Sequence, residues 1–77
     1  MIREIVCRDF GAWMKEGREK KRLSQEELAK IVVCHTTTIG RWERNEAWPP
    51  LDYAERIVKA LGAELVVREY GANTGTN

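Results

Sequence analysis

Cys34 and His35 stand side by side in a 77-residue chain with two cysteines and one histidine. A thiol and an imidazole together suggest nucleophilic chemistry. Adjacent residues, however, send their side chains apart, and a working dyad needs partners brought together in space. Cys34 therefore reads as a turn residue packing inward and His35 as a cap or phosphate-facing residue. One histidine is too few for a zinc finger, and Cys7 with Cys34 is too few for a disulfide framework. Gly11 and Gly17 fall inside a helical pattern, so no glycine loop cradles a phosphate. Asp9, Asp52 and the scattered Glu residues show no paired-carboxylate logic. The expectation is a non-enzyme with no metal and no cofactor.

Length and composition narrow the choice further. A 77-residue chain is one domain near the lower size limit for a core without staples, which excludes a barrel or a doubly wound nucleotide fold. Charged residues at 32% and hydrophobic residues at 43% are ordinary globular usage. The longest apolar run, Ile31 to Cys34, cannot span a membrane, and Met1-Ile2-Arg3-Glu4 opens no signal-peptide core, so a cytoplasmic setting is expected. Thirteen Lys and Arg against twelve Asp and Glu leave +1, which is low for a nucleic-acid binder. The distribution says more. Residues 1–22 carry seven positive and four negative side chains, whereas residues 51–77 carry three and four. The densest run is Lys20-Lys21-Arg22, which also suits the last turn of a helix.

The elements that position these residues follow from spacing. Phe10, Trp13, Met14 and Gly17 lie at i, i+3, i+4, i+7, one face of a helix over about 8–21 that starts near Cys7, Arg8 or Asp9. Ser24 with Glu27 forms a capping box, predicting a second helix over about 25–32 with Leu28, Ala29 and Val32 inward. After a break at Val33-Cys34-His35, a third helix over about 36–44 buries Ile39 and Trp42. Asn45 is its left-handed stop, and Glu46-Ala47-Trp48-Pro49-Pro50 cannot continue it. Leu51, Ala54, Ile57 or Val58, and Leu61 mark a fourth helix ended by Gly62. Residues 64–70 read as a strand and 71–77 as a flexible tail. The domain is therefore 1–70, all-α apart from this strand.

Two short helices three residues apart, the second polar on its outer side, make a helix-turn-helix. A major groove about 12 Å wide admits one helix, provided that helix is pinned from behind. Ile39 and Trp42 are the pin, and Thr36, Thr37, Gly40, Arg41 and Arg44 face out. Arg18…Leu23-Ser24-Gln25-Glu26-Glu27-Leu28-Ala29, then Ile39-Gly40-Arg41-Trp42-Glu43-Arg44, Pro49-Pro50-Leu51 and Ala60-Leu61-Gly62, in this order, resemble the Cro and lambda-repressor-like (XRE) helix-turn-helix family over about residues 10–65. The resemblance implies a compact domain of four to five helices, usually dimeric on a pseudo-palindromic duplex, acting as a repressor-like regulator.

Residue by residue, the resemblance implies that Thr36, Thr37, Gly40 and Arg41 contact base edges. Gln25, Ser24, Arg22, Thr38, Arg44 and Asn45 would contact phosphate, with Gln25 also bracing the recognition helix. Arg18 and Glu43 match a pair joining the first helix to the third, structural like Trp42 and Ile39. Competing assignments are an exposed N-terminal helical residue for Gln25 and a surface arginine paired with a nearby Glu for Arg41. Two positions depart from the family pattern. Val33 stands where a glycine is usual, and since valine is an outlier at positive φ, the turn is expected to take another conformation. Gly40 costs helix propensity but permits close backbone approach.

A lone strand at 64–70 needs a partner. Either Ile2 to Val6 pairs with it, or Leu65, Val66 and Val67 of two subunits pair across a two-fold axis in a homodimer. Leu61 to Val67 and Asp9-Phe10-Gly11 are also similar to HipB-type antitoxins. That similarity implies, as the alternative, operon autorepression with a toxin protein as partner.

Overall fold

The structure is a computed structural model that describes residues 7–69. Among the described residues four helices follow one another: α1 Phe10–Lys20, α2 Gln25–Val32, α3 Thr36–Glu43 and α4 Leu51–Ala60. Three of them begin where the local chemistry supplies a start. Asp9 Oδ1 accepts the Ala12 N–H at 3.0 Å and opens α1. The Ser24–Glu27 capping box forms in both directions, at 2.9 Å and 2.7 Å, and opens α2. Pro50, which has no N–H to lose, sits at the N-terminal boundary of α4.

Every helix is followed by a left-handed residue: Arg22 (φ 58°), Val33 (φ 64°), Asn45 (φ 59°) and Gly62 (φ 85°). Only Gly62 reaches this region without a Cβ penalty, which for other residues is about 1–2 kcal/mol. The stops still form because each folds the next amide back onto orphan carbonyls. Leu23 N–H donates to Arg18 O at 3.1 Å, Cys34 N–H to Ala29 O at 2.9 Å and Glu46 N–H to Arg41 O at 2.9 Å. Val33 thus overturns the expectation of a different turn, because the left-handed geometry is kept without glycine.

α1 packs on α3, and α2 packs on α3 and α4. Met14, Leu28, Ala29, Val32, Ile39, Trp42, Ile57 and Leu61 form the core, with Phe10, Trp13, Leu23 and Tyr53 packed around it. Leu51, one of the residues that mark the fourth helix, is exposed, since it starts α4 at the edge of the core. Segment 64–69 has no regular structure, contrary to the expected strand; a strand's backbone groups need a paired edge, and the single chain offers none among the described residues. Ile2 to Val6, Tyr70 and the tail 71–77 lie outside the described residues.

Candidate nucleic-acid interface

α3 is held from behind by charge as well as by apolar contact. Ile39 and Trp42 lie in the core, and Glu43 beside them is buried too. Arg18, in the last turn of α1, donates through Nε to Glu43 Oε2 at 2.6 Å and through Nη2 to Oε1 at 3.2 Å. Its third donor group, Nη1, reaches Leu23 O at 2.7 Å, so one guanidinium ties together α1, the loop before α2, and α3. The two side chains are 10% and 3% exposed. The bond to Glu43 holds the guanidinium's pKa above its ordinary value, against desolvation.

Gln25, the first residue of α2, donates its amide to the same Glu43 Oε1 at 3.0 Å. This bracing contact leaves the Gln25 side-chain oxygen out of the pair. It also rests over Gly40: a Cβ built there would lie 3.0 Å from Arg44 Nη1 and 3.6 Å from Gln25 Nε2. Gly40 is therefore buried and does not present itself as the open base-contact position expected of it. Without a side chain it becomes the floor on which Gln25 and Arg44 lie.

At 100° per residue, positions 36, 37, 41 and 44 share one side of α3 and Thr38 turns away. Thr36, Thr37 and Arg41 are exposed. Thr38 is half-buried and lines a groove with Cys34, Trp42 and Tyr53, on the side toward α4. Arg44 is exposed and grips Glu46 through two bonds of 2.7 and 3.2 Å, which push its own pKa up and that of Glu46 down. Arg22 and Ser24 are exposed, with Ser24 Oγ already accepting the Glu27 amide. Asn45 donates to Asp9 Oδ1 at 2.9 Å and so joins the end of α3 to the start of α1.

That junction was not visible in sequence. A Cβ at Gly11 would lie 2.6 Å from Glu43 O and 2.7 Å from both Trp42 O and Asn45 Oδ1, so backbone of α3 abuts backbone of α1 there. The only signal was Gly11 itself, placed two residues after a cap. Cys34 is half-buried, and burial raises its thiol pKa, away from the thiolate that nucleophilic chemistry needs. His35 precedes α3 but makes no side-chain cap bond.

A two-helix unit with a polar outer face, seated on a core and an ion pair, defines a helix-turn-helix domain. The chain belongs to the helix-turn-helix family, whose model matches residues 14–67. Proteins of Methanococcus maripaludis named as HTH-type transcriptional regulatory proteins are 39% identical over 56 residues, covering 73% of this chain and 17% of theirs. The chain thus spans a small part of the length of these curated relatives. Among solved structures, the P22 c2 repressor in complex with a synthetic operator is similar at a TM-score of 0.71 and 28% identity, over 75% of this chain and 88% of that one. The biofilm master regulator SinR in complex with DNA is similar at a TM-score of 0.66 and 25% identity, over 71% and 89%.

Proposed function

We propose that the chain binds double-stranded DNA sequence-specifically, as a repressor-like transcriptional regulator, with α3 in the major groove. The observation that carries this reading is the bracing of α3 by Arg18, Glu43 and Gln25 beneath an exposed row of Thr36, Thr37 and Arg41. A rigid helix of eight residues, about 12 Å long, matches the reach of three or four base pairs. Arg41, exposed and without a salt-bridge partner among the described residues, forks to a guanine. Thr36 and Thr37 meet neighbouring base edges. Gln25, Ser24, Arg22, Arg44 and Asn45 bind phosphate on either side; Thr38, expected to do the same, faces α4 instead. The exposed Leu65, Val66 and Val67 pair two copies, since three consecutive apolar side chains left in water favour association.

Selection from a random duplex pool tests this reading. The expected product is a pseudo-palindrome with half-sites about 10 base pairs apart. Failure to enrich any sequence overturns specific binding, and enrichment of an asymmetric site overturns the dimer. The antitoxin reading gains no support: the relatives and structural neighbours reported above are named as regulators.

A further inference from the structure

Val33 holds the turn between α2 and α3 at φ 64° and ψ 66°, and the residue is 70% exposed, so little packing of its own offsets the backbone geometry. A groove of about 550 Å³ opens between this turn and Pro50 and Tyr53, so that flank is not close-packed. What meets the turn instead is a pair of donors from α4. Tyr53 Oη donates to Val33 O at 3.3 Å, and Arg56 Nη1 donates to Val32 O at 3.2 Å. The two donors are themselves joined, with the Arg56 guanidinium 4.8 Å from the centre of the Tyr53 ring. That ring also lies against Trp42 of α3, 5.7 Å between centres and tilted by 54°. Tyr53 therefore touches both the turn and the buried side of the helix that the turn aims.

We propose that Tyr53 and Arg56 are positioning residues for DNA binding, an α4 clamp that keeps a valine in a left-handed turn and thereby sets the direction of α3. The inference rests on the proposed DNA-binding role. Two consecutive carbonyls at the end of α2 lack helical partners, and the clamp satisfies both while opposing the drift of Val33 toward extended backbone. A glycine at this position reaches the same geometry unaided. The clamp is thus coupled to the identity of residue 33, which an ordinary packing contact would not be.

The test is a cycle of Tyr53→Phe with Arg56→Met, made in the wild-type chain and in the Val33→Gly background. Two readouts are taken where circular dichroism shows every variant folded: the Kd for the duplex recovered by selection, and hydrogen exchange of the Cys34 amide, which donates to Ala29 O across the turn. In the valine background the double variant is expected to weaken binding about tenfold, equivalent to about 1.4 kcal/mol, and to speed exchange at Cys34. The salt slope stays unchanged, because no phosphate contact is lost. In the Val33→Gly background the loss falls to about threefold or less, a difference attributable to coupling. Equal losses in both backgrounds overturn the clamp, and so does a shallower salt slope, which would mark Arg56 as a phosphate ligand. Should the double variant unfold, Tyr53→Phe alone carries the same cycle. A wild-type chain that binds no duplex refutes the DNA reading, while exchange at Cys34 still tests the clamp.

Discussion

Arg41 and Glu43 sit two residues apart on α3 and answer opposite demands. Glu43 is buried, and its carboxylate is shared by Arg18 and Gln25. Arg41 stands in water. Their substitutions should separate cleanly. Arg41→Ala is expected to leave the melting temperature within about a degree while weakening binding to the selected duplex roughly 10- to 100-fold, the range of a lost guanine fork. Arg41→Lys should recover only part, because an ammonium lacks the planar pair of donors. Titration of a fluorescent duplex, beside a thermal melt, measures both. Glu43→Gln leaves the Arg18 guanidinium facing a neutral amide in a nearly dry site, and a loss of about 3 kcal/mol is expected in urea unfolding. Unfolding of Glu43→Gln at the wild-type midpoint would mean that the pair does not hold α3. The pairing of Glu43 with Arg18 could be assigned from the sequence resemblance. The burial of Gly40 could not, since it follows from Gln25 and Arg44 lying across α3.

At the scale of helices, starts were legible and stops only partly so. Ser24 and Glu27 announce α2 through side chains that act within three residues, and the box forms as the sequence requires. Asn45 was readable as a left-handed stop because its type tolerates that geometry. Val33 was not, since what holds it comes from α4, twenty residues onward. Gly11 was equally opaque: the near-contact of α1 and α3 backbone is tertiary. Gly11→Ala should therefore cost about 1–3 kcal/mol by overpacking, despite alanine's better helix propensity, and a gain in stability would disprove the close approach. The helix starts also impose a pH dependence. Asp9 is held below its ordinary value of 3.8, first by the Ala12 amide and then by Asn45. Glu27 is held below 4.5 by the Ser24 amide and hydroxyl. Folded pKa values lowered in this way contribute stability that is complete above those ordinary values and disappears as pH falls through the depressed ones. Melting temperatures should thus drop as pH falls below about 4.5, the ordinary value of Glu27. The drop should be shallower in Asp9→Asn, and an unchanged slope would remove Asp9 from the account.

For the chain as a whole, a net charge of +1 gives a lone subunit little long-range attraction to DNA. The chain carries +1 overall, yet its first 22 residues hold seven positive and four negative side chains. Each phosphate contact displaces about one counterion, so a subunit with a handful of contacts binds weakly near 0.15 M salt, and two tethered subunits roughly double the salt slope. The surface that would tether them is legible in composition but not in conformation. Leu65, Val66 and Val67 are exposed, and no partner edge orders them among the described residues. Val66→Asp with Val67→Asp places two carboxylates on each copy at a shared contact, where repulsion and desolvation oppose pairing. The expected result is a monomer by sedimentation, an unaltered helical content, and at least tenfold weaker binding to the full palindrome. Binding to an isolated half-site should hardly change, and the steep salt slope should fall by about half. If the variant stays dimeric, the two copies meet elsewhere; if it turns monomeric yet keeps full affinity for the palindrome, α3 binds each half-site independently and symmetry adds nothing.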